Sequence, residues 1–312
     1  MEAIHIPSQS FWEEVLKNSQ NATFFHSPVW MKILEKTYGH FENATRGFIF
    51  NSSTRAIFPL VAEHSRGMLF KKTKHKSMPF GVYGGVVAEK RLHQEEIDTL
   101  FEYLTSTSIT NMKIVENPFE HYPIPRTFSE KPMFTHYITL HSDFEQLMKG
   151  ISRGRIRNIK EAQKKGVTVR LASSIEDYEN YYYHYQKRQD QWGEEAAVSY
   201  PWELFLNFFE CQKQGIKLWL AEKKGNIVAG VIAFYYNHTI LLWHGYTLPE
   251  YLDCYPSSLL HLAMLKDGCE NGYKIYDLNP SIGRAGVIQF KESLSAERLD
   301  FKAYRWKKRY TW

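Results

Sequence analysis

One order of elements can be read twice along this chain, and that repeat narrows what it can fold into. In the first half, Ser10 can cap a helix over residues 11–17, and Pro28 can start a second that ends at Gly39. Residues 44–50, 54–62 and 68–71 follow as strands between polar turns. Residues 79–87 carry Gly81, Gly84 and Gly85, too many for a plain strand, which predicts a bend or a close backbone approach. A helix over 94–104 shows Ile97, Leu100, Phe101 and Leu104 on one face, and strands at 112–115 and 136–140 close the half.

The second half begins again with the capping box Ser142-Asp143-Phe144-Glu145, predicting one long helix to about residue 165. A strand over 167–171 follows, then a helix from Ser174 to about residue 192 and another from Pro201 to near Gly215. Strands 217–222 and 227–236 form a hairpin around Lys224-Gly225-Asn226, with a third strand over 239–246. A helix over 256–269, a buried strand over 274–278 and an extended aromatic-basic segment over 298–306 complete the chain. Each half reads roughly as helix, helix, three strands, helix, strand, strand, the second with an extra helix and strand in front. That order predicts an α/β (α+β) fold of mixed, mostly antiparallel sheets flanked by helices, without doubly wound βαβ alternation. The expected domains are 1–140 and 141–312, with the tail from about residue 298 free to pack back on the first.

Several chemistries are disfavoured at once. The three cysteines, Cys211, Cys254 and Cys269, are scattered and odd in number, so they read as thiols in a reducing compartment and form no metal-ligand spacing. Thirteen histidines contain no H-x-x-x-H and no His/Asp/Ser arrangement, and no metal site is expected. No Walker motif and no G-x-G-x-x-G after a strand is present. The first residues lack a basic n-region and no window approaches the ~18 apolar residues of a membrane helix, so a cytoplasmic protein is expected. A net charge of +5 permits an anionic partner without requiring one.

Four patches carry a resemblance. They are residues 22–32, containing Phe25-His26-Ser27-Pro28-Val29-Trp30-Met31-Lys32; the basic run Arg153-Gly154-Arg155-Ile156-Arg157 continuing to Val167; Lys274-Ile275-Tyr276-Asp277-Leu278-Asn279; and Phe290-Lys291 followed by Leu294. In this order and spacing, over residues 11–304, they resemble the Fem family of peptidoglycan bridge aminoacyltransferases, within the FemAB-like branch of the GNAT acyltransferase superfamily. The resemblance implies two tandem GNAT-like domains with a cleft between them. Its best-studied members move an amino acid from aminoacyl-tRNA to an amine of a peptidoglycan precursor. Some members carry a coiled-coil arm; residues 174–215 are too short and lack a sustained heptad for one.

By that resemblance Lys291, after Phe290, stabilises the negative charge that develops on the acyl carbonyl; the other reading is a surface lysine behind a core phenylalanine. Asp277 ends a buried strand, where a carboxylate can orient an amine, accept a proton, or simply partner a nearby base. At the start of the helix at Pro256, acetyl-CoA users normally carry Q/R-x-x-G-x-G/A over the pyrophosphate. Here the stretch is Tyr251-Leu252-Asp253-Cys254-Tyr255, with an acid and no glycine, which argues against ordinary acetyl-CoA binding. Tyr255 matches a tyrosine that lines the acceptor cleft, or else caps its helix. Lys32, after Trp30, matches a lysine on substrate phosphates, and Arg188 lies on the helix that lines the cleft. Arg157 shares a basic face with Arg153, Lys160 and Lys164, suited to RNA or a diphosphate, or merely solvated. Lys302, Arg305, Lys307, Lys308 and Arg309, interleaved with Tyr304, Trp306 and Tyr310, can stack on bases, lie on a membrane, or solubilise a tail. Gly283-Arg284-Ala285-Gly286 reads as a mobile turn before Phe290.

The expected function is acyl or aminoacyl transfer that forms an amide on an amine of a phosphate-bearing cell-envelope precursor. Aminoacyl-tRNA is the favoured donor, as a co-substrate, and no cofactor is expected. Two alternatives stand beside it: an acyl-CoA-dependent N-acyltransferase on a sugar or lipid-linked saccharide, and a non-catalytic RNA- or membrane-surface-binding protein.

Overall fold

Serine and aspartate caps set where four of the helices start. The computed structural model describes residues 1–66, 71–192, 199–280 and 285–308, without the side chains of residues 66, 71, 188 and 190–192. Strand β1 (Glu2–His5) leads to α1 (Gln9–Asn18), capped by Ser8 and not by Ser10. Ser27 Oγ accepts from Trp30 N and, with Pro28 in the first turn, opens α2 (Pro28–Thr37). Then come β2 (Phe41–Asn43), β3 (Arg46–Ile49), β4 (Arg55–Phe58), β5 (Val61–Arg66), β6 (Lys71–Ser77), β7 (Val87–Ala88), α3 (Gln94–Ser106), β8 (Asn111–Val115) and β9 (Ser129–Thr139). They are followed by α4 (Phe144–Gly150), α5 (Arg153–Lys164), β10 (Val167–Leu171), α6 (Ile175–Trp192), α7 (Trp202–Glu210), β11 (Ile216–Lys223), β12 (Asn226–Tyr236) and β13 (Thr239–Thr247). The chain continues through α8 (Pro256–Glu270), β14 (Ile275–Asp277), α9 (Ala285–Glu292) and β15 (Glu297–Lys307).

Four expectations are corrected. The strand read over 54–62 is two strands, β4 and β5, because Pro59 between them has no N–H for a ladder. The long helix read over 142–165 is two helices. Ile151 turns to extended backbone, and Ser152 Oγ accepts from Arg155 N at 3.2 Å to cap a new start. The first of them is capped by Asp143, whose carboxylate accepts from Gln146 N, not by the Ser142 box. The residues around Phe290 form the helix α9, where only a turn was expected before them; Gly283 and Arg284, read as part of that turn, lie outside the described residues.

The fold divides into two units, Met1–Phe134 with the segment from Asp300 onward, and Thr135–Leu299. The first unit holds an antiparallel sheet ordered β1-β3-β4-β7 and a second run ordered β15-β8-β6-β5-β2, in which β6 and β8 are parallel. Its core gathers Phe48, Phe58, Leu100, Phe101, Met112 and Ile114. Tyr304 joins that core, so its ring is not presented for stacking on bases; Trp306 is half-buried and packs against the core, stacked on Phe128 at 6.1 Å. Arg309 and Tyr310 lie outside the described residues. Gly84 shows the close approach its segment predicted: a Cβ there would meet the Ser77 carbonyl oxygen at 2.1 Å. Gly84→Ala is expected to destabilise the protein by ~1–3 kcal/mol through overpacking, read as a lower urea midpoint; an unchanged midpoint would refute it.

The second unit is a sheet ordered β10-β11-β12-β13-β14-β9, antiparallel except for β13 and β14. That parallel pair lasts only from Thr239↔Ile275 to Leu241↔Asp277. Strand β13 runs on to Thr247 while β14 stops, so the two strands part just past Asp277. At the same place a register shift between Ile232 and Ala233 leaves Trp243 of β13 without a partner on β12. Helix α8 crosses between β13 and β14 and buries Leu259, Leu260, Met264 and Leu265 on the sheet. Among the described residues no long helix pair forms a coiled-coil arm: α6 has 18 residues and α7 has 9.

Candidate active site

The end of β14 places a carboxylate in the core. Asp277 is fully buried, and its Oδ1 accepts from Thr135 Oγ1 at 2.7 Å and from Asn279 N at 2.9 Å. Asn279 takes a left-handed backbone, φ 64°, and its Nδ2 donates to Trp243 O at 3.3 Å, tying the end of β14 to the bulge of β13. The carbonyl of Asn279 accepts a hydrogen bond from Lys291 Nζ. Lys291 sits near the end of α9 and is only 5% exposed. Burial lowers its pKa from the ordinary 10.5 to about 8, and the negative charge of Asp277 works against that fall. At pH 7 the ammonium therefore remains charged although it is nearly buried.

A second cation stands behind it. Arg155 on α5 donates from Nη1 to Ser258 Oγ at 2.7 Å, and from Nη2 and Nε to Ser293 Oγ at 2.7 and 3.0 Å. Its guanidinium lies 4.1 Å from the centre of the Phe290 ring. Ser293 Oγ in turn donates to Phe290 O at 2.6 Å. The Phe290 ring also meets His261 of α8 at 5.0 Å between ring centres, and His261 Nδ1 lies 2.7 Å from Tyr276 OH. Burial first, then the charges of Arg155 and Lys291, hold His261 neutral with a pKa of about 3. Burial and Lys291 also hold His136 below the usual histidine range. Both imidazoles therefore leave the positive charge to Lys291 and Arg155.

The structure brings Lys291, Asp277 and Phe290 together, linked through Asn279 and Arg155. Tyr255 lies in the same unit at the start of α8, with a left-handed backbone, φ 51°, and the Lys165 ammonium 5.9 Å from its ring. Asp253 of the same stretch is paired with Lys165 at 3.0 Å. Arg157 is exposed on α5 with Arg153, Lys160 and Lys164, as the helical spacing predicted. Arg170, at the end of the same basic run, is tied to Asp177 and Glu222, so that run is not one continuous positive field. Arg188 is on α6, and its side chain lies outside the described residues. Lys32 and Trp30 belong to the first unit, on α2. Lys32 is exposed, whereas Trp30 is wholly buried against Phe24 and Phe25, in the packing of that unit. Among the described residues no group of three or more His, Cys, Asp or Glu is placed to hold a metal ion, and no helix is long and apolar enough to cross a membrane.

Arg155, Ser258, Ser293 and Asn279 were not singled out from the sequence. One signal for Arg155 was there: it precedes the buried Ile159 and Ala162 by four and seven residues, the spacing of one helix face. The exposed basic residues of α5 follow a different face, so Arg155 alone of that run turns inward.

Residues 150–292 match the family described as the acetyltransferase (GNAT) domain, and the match falls within the second unit. No curated protein sequence matches the chain. Among solved structures, FemX is similar at TM-score 0.72 and 11% identity, covering 99% of this chain and 98% of that one. A tandem GNAT protein from the clavulanic acid biosynthesis pathway is similar at TM-score 0.58 and 12% identity, covering 99% and 100%. The C-terminal domain of a putative lysylphosphatidylglycerol synthetase from Agrobacterium fabrum is similar at TM-score 0.55 and 7% identity, covering 96% and 92%. Likenesses at such identities speak for the fold, a tandem GNAT-like arrangement of mixed α/β sheets.

Proposed function

We propose that this GNAT-type acyltransferase joins an amino acid, delivered as its tRNA ester, to an amine on a phosphate-bearing cell-envelope precursor. The observation that carries the reading is Lys291, a nearly buried ammonium where β13 and β14 part. The donor carbonyl is polarised by Lys291, which then holds the oxyanion formed as the acceptor amine attacks. Asp277 acts through Lys291, keeping it charged and fixing Asn279, and the amine's proton passes to a group of the substrate. Collapse of the tetrahedral intermediate forms the amide and releases the tRNA 3′ end as the leaving alcohol. Arg188 and Arg157 serve the phosphates of the acceptor, and Tyr255 and Phe290 line its path. Lys32, on the first unit and backed by the buried Trp30, is a phosphate contact of that unit.

The start of α8 favours a tRNA ester over acyl-CoA. A pyrophosphate cradle needs several unpaired amides at a helix N-terminus. Here Pro256 has no N–H, and Ser258 N already donates to Tyr255 O at 3.0 Å. FemX and a lysylphosphatidylglycerol synthetase domain share the fold, and their names accord with envelope acceptors. The test is binding of charged tRNA and of acetyl-CoA to the same protein at physiological salt, followed by transfer of a labelled amino acid to an amine acceptor. Saturable tRNA binding with transfer is expected. Tight acetyl-CoA binding with no transfer from tRNA would replace this reading with an acyl-CoA N-acyltransferase acting on a saccharide amine.

Asp277→Asn gives a separate check on the site. Losing that charge removes the influence that raises the Lys291 pKa. The fall of kcat with rising pH, expected near 8 in the native protein, should move to lower pH in the variant. A purely structural role for Asp277 would leave the profile in place.

A further inference from the structure

In the first unit, β6, β8 and β15 carry like charges side by side on one sheet face. The register pairs Lys76 with Lys113, and Lys113 with Arg305, so three cations form one row across three adjacent strands. Lys74 and Lys307 stand two positions further along β6 and β15 and share that face. The alternate residues Met112, Ile114 and Tyr304 point the other way, into the core. The five cations line a groove of about 600 Å³. Glu63 answers one of them, pairing with Lys76 at 2.9 Å. Lys113 is half-buried, and its charged neighbours are Arg305, Lys76 and Lys131, all of its own sign; burial and these cations lower its pKa. Like charges directly opposite one another weaken a sheet, so this row costs stability that an anion in the groove would return.

We propose that this face binds the phosphate backbone of an RNA, which under the tRNA-ester reading above is the body of the donor. Neighbouring strands set the cations about 5 Å apart across the row and about 7 Å along each strand, an array wider than a single phosphate. Lys131 adds a further positive charge that acts on Lys113. The groove is concave, and none of the large exposed apolar residues among those described (Ile6, Leu171, Tyr183, Leu252 and Val287) lies on it, so a bilayer finds no anchor there. Tyr304 is buried in the core and the groove is lined chiefly by cations, so recognition is of the backbone and independent of base sequence.

The test uses the full chain and deacylated tRNA in a fluorescence-anisotropy titration across a salt series. Lys113→Gln/Arg305→Gln/Lys307→Gln is expected to weaken binding by at least about 30-fold and to flatten the log Kd against log salt slope by about 2. Its thermal midpoint should equal or exceed that of the native chain, since a repulsion has been removed, which shows that the lost binding is not lost folding. A control with the same charge change elsewhere, Lys213→Gln/Lys224→Gln/Lys266→Gln, should bind within about 3-fold of the native chain. Equal losses in both variants would overturn the assignment by making the effect one of net charge. Displacement of the RNA by micromolar inorganic pyrophosphate would overturn it in favour of a small-phosphate site. Intact tRNA binding in the first variant, with binding to phosphatidylglycerol vesicles lost, would overturn it in favour of a membrane. The readout needs no turnover. If tRNA binds here but charged tRNA is no donor, only the donor reading falls; if transfer proceeds and the variant binds normally, only this inference falls.

Discussion

Lys291→Met is expected to lower kcat by about 10²–10³-fold while the protein stays folded. A hydrogen-bond donor placed beforehand at a developing oxyanion contributes ~3–4 kcal/mol to barrier lowering, and Lys291 meets the structural condition, since it is charged at pH 7 and 5% exposed. Methionine keeps the length of the chain and removes the charge, so the loss should fall on kcat more than on KM. Lys291→Arg should recover part of the rate and, because guanidinium does not titrate in this range, should abolish the fall in activity near pH 8. A methionine variant with native turnover would remove Lys291 from the chemistry.

The same residue links stability to pH. Its folded pKa, about 8, lies below the ordinary 10.5 that the unfolded chain should show. Between those values the unfolded state holds more protons, so the native protein gains stability as pH rises from about 8 towards 10.5. Relative to Lys291→Met the gain should approach about 3 kcal/mol, read as diverging urea midpoints in that window. Below pH 8 both states carry the proton and the difference should stay constant. Parallel midpoints from pH 7 to pH 10.5 would mean that Lys291 is better hydrated than its burial indicates.

Candidate site residues marked by type and position were open to a reading of the sequence, and those placed by packing were not. Lys291 could be picked out only through the family resemblance of Phe290-Lys291 and its neighbouring patches, whereas Asp277 is visible as an acid at the end of an apolar strand. What relates them is Asn279, which turns back under a positive φ, and nothing local predicts that its carbonyl will receive Lys291. The fold class followed from periodicity and turn residues, which act over a few neighbours. Boundaries failed where two local signals competed, as at Ser152, a stronger cap than the helix preceding it was a run. The row of cations across β6, β8 and β15 was visible only in part: Arg305 and Lys307 stand out in a basic cluster, but Lys74, Lys76 and Lys113 look ordinary on their own strands, and only the register sets them together.

Arg155→Ala should cost about 3 kcal/mol of stability, a fall in the thermal midpoint of roughly 6–12 °C for a unit of this size. One guanidinium satisfies two hydroxyls on different elements, Ser258 in the first turn of α8 and Ser293 just past α9, and stacks on Phe290 between them. Alanine leaves both hydroxyls to pair elsewhere and opens a void over the ring. Arg155→Lys should not restore the midpoint, since an ammonium cannot span both serines in one plane or stack flat on an aromatic face. Because Phe290 precedes Lys291 on α9, losing the stack also lets the ammonium drift from the Asn279 carbonyl. The lysine variant should therefore lose kcat even at temperatures where it is fully folded. Arg155→Lys with native kcat but a lowered midpoint would confine Arg155 to holding α5, α8 and α9 together. Loss of both would make it the residue that positions Lys291, reached through the ring of Phe290 and not through any contact with substrate.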